Sequence, residues 1–119
     1  MTSPETRTAE RGNDATVIEI RTTFSRRELA EACARRLVAD CLAACVQVDG
    51  PIQSVYRWQG VVESAEEFRC TCKTSPDRHE ECVAALVAGH EYDTPEVLVT
   101  AVTASSDYAA WVRASVARN

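Results

Sequence analysis

Hydrophobic and polar positions alternate with a period of two over residues 15–23, where Ile18 and Ile20 share one face and Glu19 and Arg21 the other. This is the pattern of a half-buried strand. Ser25 with Glu28 three residues on reads as a capping box, and Leu29, Cys33 and Leu37 then recur at helical spacing, which predicts a helix over 26–40. Cys41-Leu-Ala-Ala-Cys-Val-Gln-Val48 shifts from helical to extended character, Asp49-Gly50-Pro51 interrupts it, and residues 52–58 resume it. Proline lacks an N–H and glycine loosens a strand, so one strand with a bend or bulge near a sheet edge is expected. A tight corner at Gln59-Gly60 leads into a second strand over 61–74, in which Phe68, Cys70, Cys72 and Thr74 face one way and Glu67, Arg69, Thr71 and Lys73 the other.

Ser75 and Pro76 stand at the N-cap and first position of a second predicted helix, whose stripe of His79, Cys82, Val83 and Leu86 runs to Gly89. After the polar loop 90–96, the β-branched run 97–103 predicts a short buried strand. Tyr108, Trp111, Val112 and Val116 then form one face of a terminal helix capped by Ser105 or Ser106. The order β-α-β-β-α-β plus a helix predicts an α+β, ferredoxin-like sandwich: a four-stranded antiparallel sheet with two helices on one face. Its long hairpin carries more strand than one small sheet needs, so a partner is expected, in the simplest case another copy of the chain.

The 119 residues suit one domain, 15–119, preceded by a polar tail over 1–14 that reads as disordered. That tail lacks the apolar core of a signal peptide, and no apolar run approaches the roughly 20 residues of a membrane span, so a cytoplasmic protein without membrane contact is expected. Thirteen basic against eighteen acidic side chains give a formal net charge of −5, which disfavours nucleic acid as a partner. Six cysteines (33, 41, 45, 70, 72 and 82) contain no C-x-x-C pair, and a reducing compartment argues against a disulfide framework.

Cys70 and Cys72 point to the same side of a strand, which suits either a soft metal or plain core packing. His90 sits in a loop with Tyr92, Asp93 and Glu96, and is readable as a metal ligand or as a cation at a helix C-terminus. Glu67 and Lys73 share a strand face, next to the strand that carries Tyr56, Arg57 and Trp58. They suit either a mixed-charge cleft or an interface. No nucleophile-and-base arrangement, G-x-S-x-G elbow or glycine-rich phosphate loop occurs, so an enzyme is not expected.

Four ordered motifs, Leu42-Ala-Ala-Cys-Val46, Ser54-x-Tyr-x-Trp-Gln-Gly60, Glu67-x5-Lys-Thr74 and His90-x-Tyr-x-x-Pro-Glu96, with Tyr108-x-x-Trp111 behind them, resemble the signature of the CutA divalent-cation tolerance family. The resemblance implies a cytoplasmic homotrimer joined through its long hairpins and a metal-responsive or signal-transducing role like that of PII-type trimers. It also implies an intersubunit ligand cleft, which on this chain would involve Tyr56, Trp58, Glu67, Lys73, Tyr92 and Glu96, with His90 as metal ligand. No cofactor is obligatory; copper(II) or another divalent cation is the ligand implied, and no protein partner is identified. The alternative is a structural trimer without a metal role. Copper ligation in the family is associated with a cysteine at the end of the first strand and with paired histidines. Here that strand ends Arg21-Thr22-Thr23, Gly89 precedes His90, Glu91 stands where proline is usual, and Gln47 where asparagine is usual.

Overall fold

The computed structural model describes residues 15–118; the tail expected over 1–14 lies outside the described residues. Strand β1 (Thr16–Phe24) is central, paired antiparallel with β3 (Val61–Thr74) on one side and β4 (Leu98–Thr103) on the other. Strand β2 (Cys45–Trp58) pairs antiparallel with β3 and forms one edge, giving the order β2-β3-β1-β4. Helices α1 (Arg27–Ala39) and α2 (His79–Ala88) bury Ala30, Cys33, Leu37, Cys82 and Leu86 against Ile18, Ile20, Cys70 and Cys72 of the sheet. Helix α3 (Ser106–Ser115) packs Ala109 and Val112 against Val17, so it covers part of the opposite face. The expected α+β architecture of a four-stranded antiparallel sheet with three helices is what the described residues adopt.

Three local expectations change. The N-cap of α1 is Arg26, without a side-chain cap; Ser25, one residue earlier, instead donates its backbone N–H and Oγ–H to Glu91, at 2.8 and 2.5 Å. Helix α2 starts at His79 rather than Pro76: Arg78 N–H donates to Ser75 O, closing a turn over 75–78, and the Arg78 guanidinium is drawn to Cys41 O at 3.2 Å. Strand β4 is an edge and not buried, since it has a neighbour on one side alone; Leu98 and Val99 remain about half exposed. Its β-branched composition reports strand propensity more faithfully than depth. The terminal helix keeps its expected cap, Ser105 Oγ accepting from Tyr108 N–H at 3.3 Å.

The hairpin decides where a site can form. Gln59 (φ 49°) and Gly60 (φ 81°) make a two-residue turn with both residues left-handed, the form whose twist matches the flanking strands. Farther down, Asp49 pairs with Arg69 while Ile52 pairs with Glu67, so β2 carries one extra residue at the expected Gly50-Pro51 irregularity. An extra residue reverses which side chains face which way. Below it Val46 and Val48 lie opposite Cys72 and Cys70 on the helix-covered face; above it Ser54, Tyr56 and Trp58 lie opposite Ala65, Glu63 and Val61 on the other face. Gly50 is required there: at φ 144° a Cβ would stand 2.8 Å from the Phe68 ring and 2.9 Å from Glu67 O. Arg27 closes the kink by donating to Gly50 O at 2.7 Å.

Candidate functional site

With Tyr56 and Trp58 turned by the bulge onto the face of β3 that carries Glu63 and Glu67, and with the loop 89–97 folded back beside them, a cleft of about 960 Å³ forms. Tyr92 and Glu96 join them, so five of the six cleft residues expected from the sequence meet here, and Thr23, Ser54, Glu91 and Asp93 also contribute to the wall. Five carboxylates (Glu63, Glu67, Glu91, Asp93 and Glu96) line it, and no lysine, arginine or histidine does. Such a wall attracts cations, and its aromatic rings offer negatively charged faces to the same kind of ligand.

Tyr92 fixes the inner edge. Its hydroxyl donates to Glu67 Oε2 at 2.9 Å, and burial, reinforced by the Glu67 carboxylate, raises its pKa far above the ordinary phenol value. The phenol therefore stays protonated and remains a donor. His90 lies behind that edge rather than in the lining, stacked on Phe24 with centroids 4.3 Å apart and tilted against Tyr92 at 5.2 Å. Its Nδ1 accepts from Tyr92 N–H at 3.0 Å, which leaves the proton on Nε2, where it is shared with Thr22 Oγ1 at 3.0 Å. Desolvation holds the imidazole below its usual pKa, against the opposing pull of the Thr23 backbone, Glu91 and Glu67. The ring is a neutral wedge with both nitrogens engaged.

Lys73 is not brought to the cleft. It pairs across the sheet with Glu19 and Cys45, its ammonium 5.9 Å from the Tyr108 ring, and six residues of extended β3 separate it from Glu67, about 20 Å. Cys70 and Cys72 are fully buried, and Cys70 Sγ–H donates to Ala30 O at 3.4 Å. Desolvation pushes the Cys70 thiol to about 12 and Cys82 to about 11, and raises Cys72 and Cys33 as well. A thiol at about 12 is one part in about 10⁵ thiolate at neutral pH, so these groups pack as neutral apolar side chains. Among the described residues no three or more histidine, cysteine, aspartate or glutamate side chains come together as a ligand set.

The residues that sequence reasoning missed are Thr22, Thr23, Glu63 and Glu91. Glu63 was findable once the turn fixed the register, because it lies directly opposite Tyr56. Glu91 carried a signal of a different kind: a carboxylate where the resemblance leads one to expect proline, and it clamps Ser25.

Residues 18–115 match the protein family described as CutA1 divalent ion tolerance protein. The chloroplastic CutA of Arabidopsis thaliana is 37% identical over 99 residues, which are 82% of this chain; the match spans 54% of that longer protein. The divalent-cation tolerance protein CutA of Escherichia coli is 31% identical over 108 residues, 90% of this chain and 96% of that one. The solved structure of CutA from Synechococcus elongatus superposes with a TM-score of 0.82 at 35% identity, covering 87% of this chain and 92% of the other. The motifs around the cleft and the matched fold agree: this chain belongs to the CutA1 divalent ion tolerance family.

Proposed function

We propose that the protein acts in divalent-cation tolerance as a ferredoxin-like homotrimer joined through its hairpins, and that the acidic, aromatic cleft is its cation- or ligand-responsive site. The observation that carries this reading is the composition of the cleft wall, five carboxylates and three aromatic rings with no basic side chain. Since the described residues offer no set of three ligands, divalent-cation binding is weak or draws donors from a second copy, and copper selectivity does not rest on His90 alone. The role is metal-responsive or signalling in kind, without a catalytic step, and its compartment is the cytoplasm. No helix among the described residues is long and apolar enough to cross a membrane.

Calorimetric titration with Cu(II) and Zn(II), together with sedimentation of the same sample, tests the proposal. The expected result is a trimer with weak, saturable binding that Glu67→Gln reduces about fivefold, the effect of one carboxylate near a solvated surface. A stable monomer at micromolar concentration, or no heat with either metal, would sink it. The engagement of both His90 nitrogens favours a second reading, a trimeric interaction module without a metal role. A stoichiometric protein partner recovered in the absence of metal binding would support that reading instead.

A further inference from the structure

The shape of the hairpin cleft narrows the kind of cation it suits. Ser54 and Ala65 face each other across the β2–β3 ladder and are the smallest side chains in the wall, so the floor is low there. Glu63 and Glu67 flank Ala65 on the same face of β3 and stand four residues apart on an extended strand, about 13 Å. Tyr56 lies opposite Glu63, and Trp58 is one step farther along the same face. They are 43% and 58% exposed, so both rings are open to a ligand. The loop supplies Tyr92 and three more carboxylates to the same space.

The negative charge of the wall is not cancelled within the chain. Glu91 accepts from Ser25 and Glu67 from the Tyr92 hydroxyl, both neutral donors. Among the described residues none of the five carboxylates forms an ion pair. Arg57 belongs to the opposite face of the ribbon and donates to Gly60 O, while Arg69 attracts Glu96 but gives its hydrogen bonds to Asp49. A carboxylate offers about four lone-pair sites, so Glu67 still has room for a ligand.

A bare metal ion needs donors that converge within about 2–2.6 Å of one point, and no set of three does so among the described residues. The cleft, at about 960 Å³, is also far larger than one ion and lies at the upper end of the roughly 300–1,000 Å³ of small-molecule sites. Separated carboxylates, open ring faces and a low floor between them match a long cation with its charges spaced along an apolar chain. Ammonium groups then meet carboxylates and ring faces, and methylenes lie on Ala65 and the rings.

We propose that the cleft binds an aliphatic polyamine, with its methylene chain over Ala65 and its ammonium groups held by Glu63 and Glu67 beside the rings of Tyr56 and Trp58. The proposal rests on the reading of this cleft as the cation-responsive site and names the class of cation that fits it. A single alkylammonium, such as a lysine side chain, would engage one of the two glutamates and not both.

The test is calorimetric titration of the intact protein with spermidine, in parallel with n-butylamine and with Zn(II), at fixed ionic strength. Spermidine should bind saturably, at least about tenfold more tightly than the monoamine, since a second ammonium meets a second carboxylate. Its amide chemical-shift changes should centre on Tyr56, Ala65 and Tyr92 in the unsubstituted protein. Glu63→Gln should weaken spermidine about fivefold and Trp58→Leu about threefold. Ala65→Leu fills the floor without altering a charge and should weaken it about tenfold, while leaving Zn(II) binding unchanged. Zn(II) heat that Glu67→Gln reduces, without spermidine heat, would overturn the polyamine and leave the cation site standing. No heat with either would overturn both. Equal affinity for spermidine and n-butylamine, shifts centred away from the cleft, or wild-type spermidine affinity in Ala65→Leu and Trp58→Leu would mark general attraction to an acidic surface and also overturn the assignment.

Discussion

The lower and upper halves of the β2–β3 hairpin share an alternating pattern, offset by one residue at the bulge, yet they live in different surroundings. In the lower half Cys70 and Cys72 are fully buried beneath α1 and α2, with Val46 and Val48 beside them. In the upper half Val55, Trp58, Val61 and Val62 are 58–67% exposed, on both faces of a ribbon that helps stretch the molecule to 59 Å. Strand propensity is similar in the two halves; what differs is whether anything in the chain covers them. Exposed apolar side chains in such a run mark a surface that other protein covers. The lower half belongs to the fold of one chain, and the upper half carries the cleft and the surface on which the proposed assembly would form.

The sharpest way to break this contrast is at the joint. Gly50→Ala places a Cβ against Phe68 and Glu67 O in a left-handed backbone, and should destabilise the protein by about 3 kcal/mol in urea unfolding. A change below about 0.5 kcal/mol would mean that the bulge does not hold the two halves apart as described. A matched pair comes next. Cys72→Ser puts an extra polar group into the lower core and should cost about 2 kcal/mol whatever the protein concentration. Val55→Ser in the upper half should cost little in a dilute monomer and should shift sedimentation toward smaller species. Equal, concentration-independent losses from both would erase the distinction.

The smallest effect concerns acid. Because the folded pKa of His90 lies below the ordinary 6.5, its contribution to stability is fully present above that value. It is lost as pH falls from the unfolded value toward the folded one, since the unfolded chain takes up the proton first. The unfolding midpoint of wild type should therefore decline below pH of about 6.5, and His90→Gln should flatten that decline. A midpoint that rises on acidification would show that the imidazole is not held neutral.

Most of the fold was legible because its signals are local. Ile18 and Ile20, the Cys33–Leu37 stripe and the Gln59-Gly60 corner each declare an element through their own spacing. The failures came where a distant group claimed a local one. Ser25 looked like a cap, but the N-cap falls one residue later, at Arg26, and Ser25 instead holds Glu91, 66 residues away. Pro76 looked like a helix start, but the turn closed by Ser75 and Arg78 delays α2 by three residues. At the site, Tyr56, Trp58, Glu67, Tyr92 and Glu96 do converge, because the bulge and the loop bring them together. Lys73 could not be excluded from that group by side-chain parity, since parity gives the face of a strand and not the distance along it.

The Glu91 clamp reaches beyond the cap it displaces. By holding the loop to the end of β1 through two hydrogen bonds, it settles the shape of one cleft wall during folding, before any ligand is present. A ligand meeting that wall need not order it, so less of the binding energy is consumed in freezing the loop, and release need not await its melting. Preorganisation of this kind lets a few contacts hold a ligand more tightly than they would on a mobile loop, because the ordering entropy has already been lost in folding.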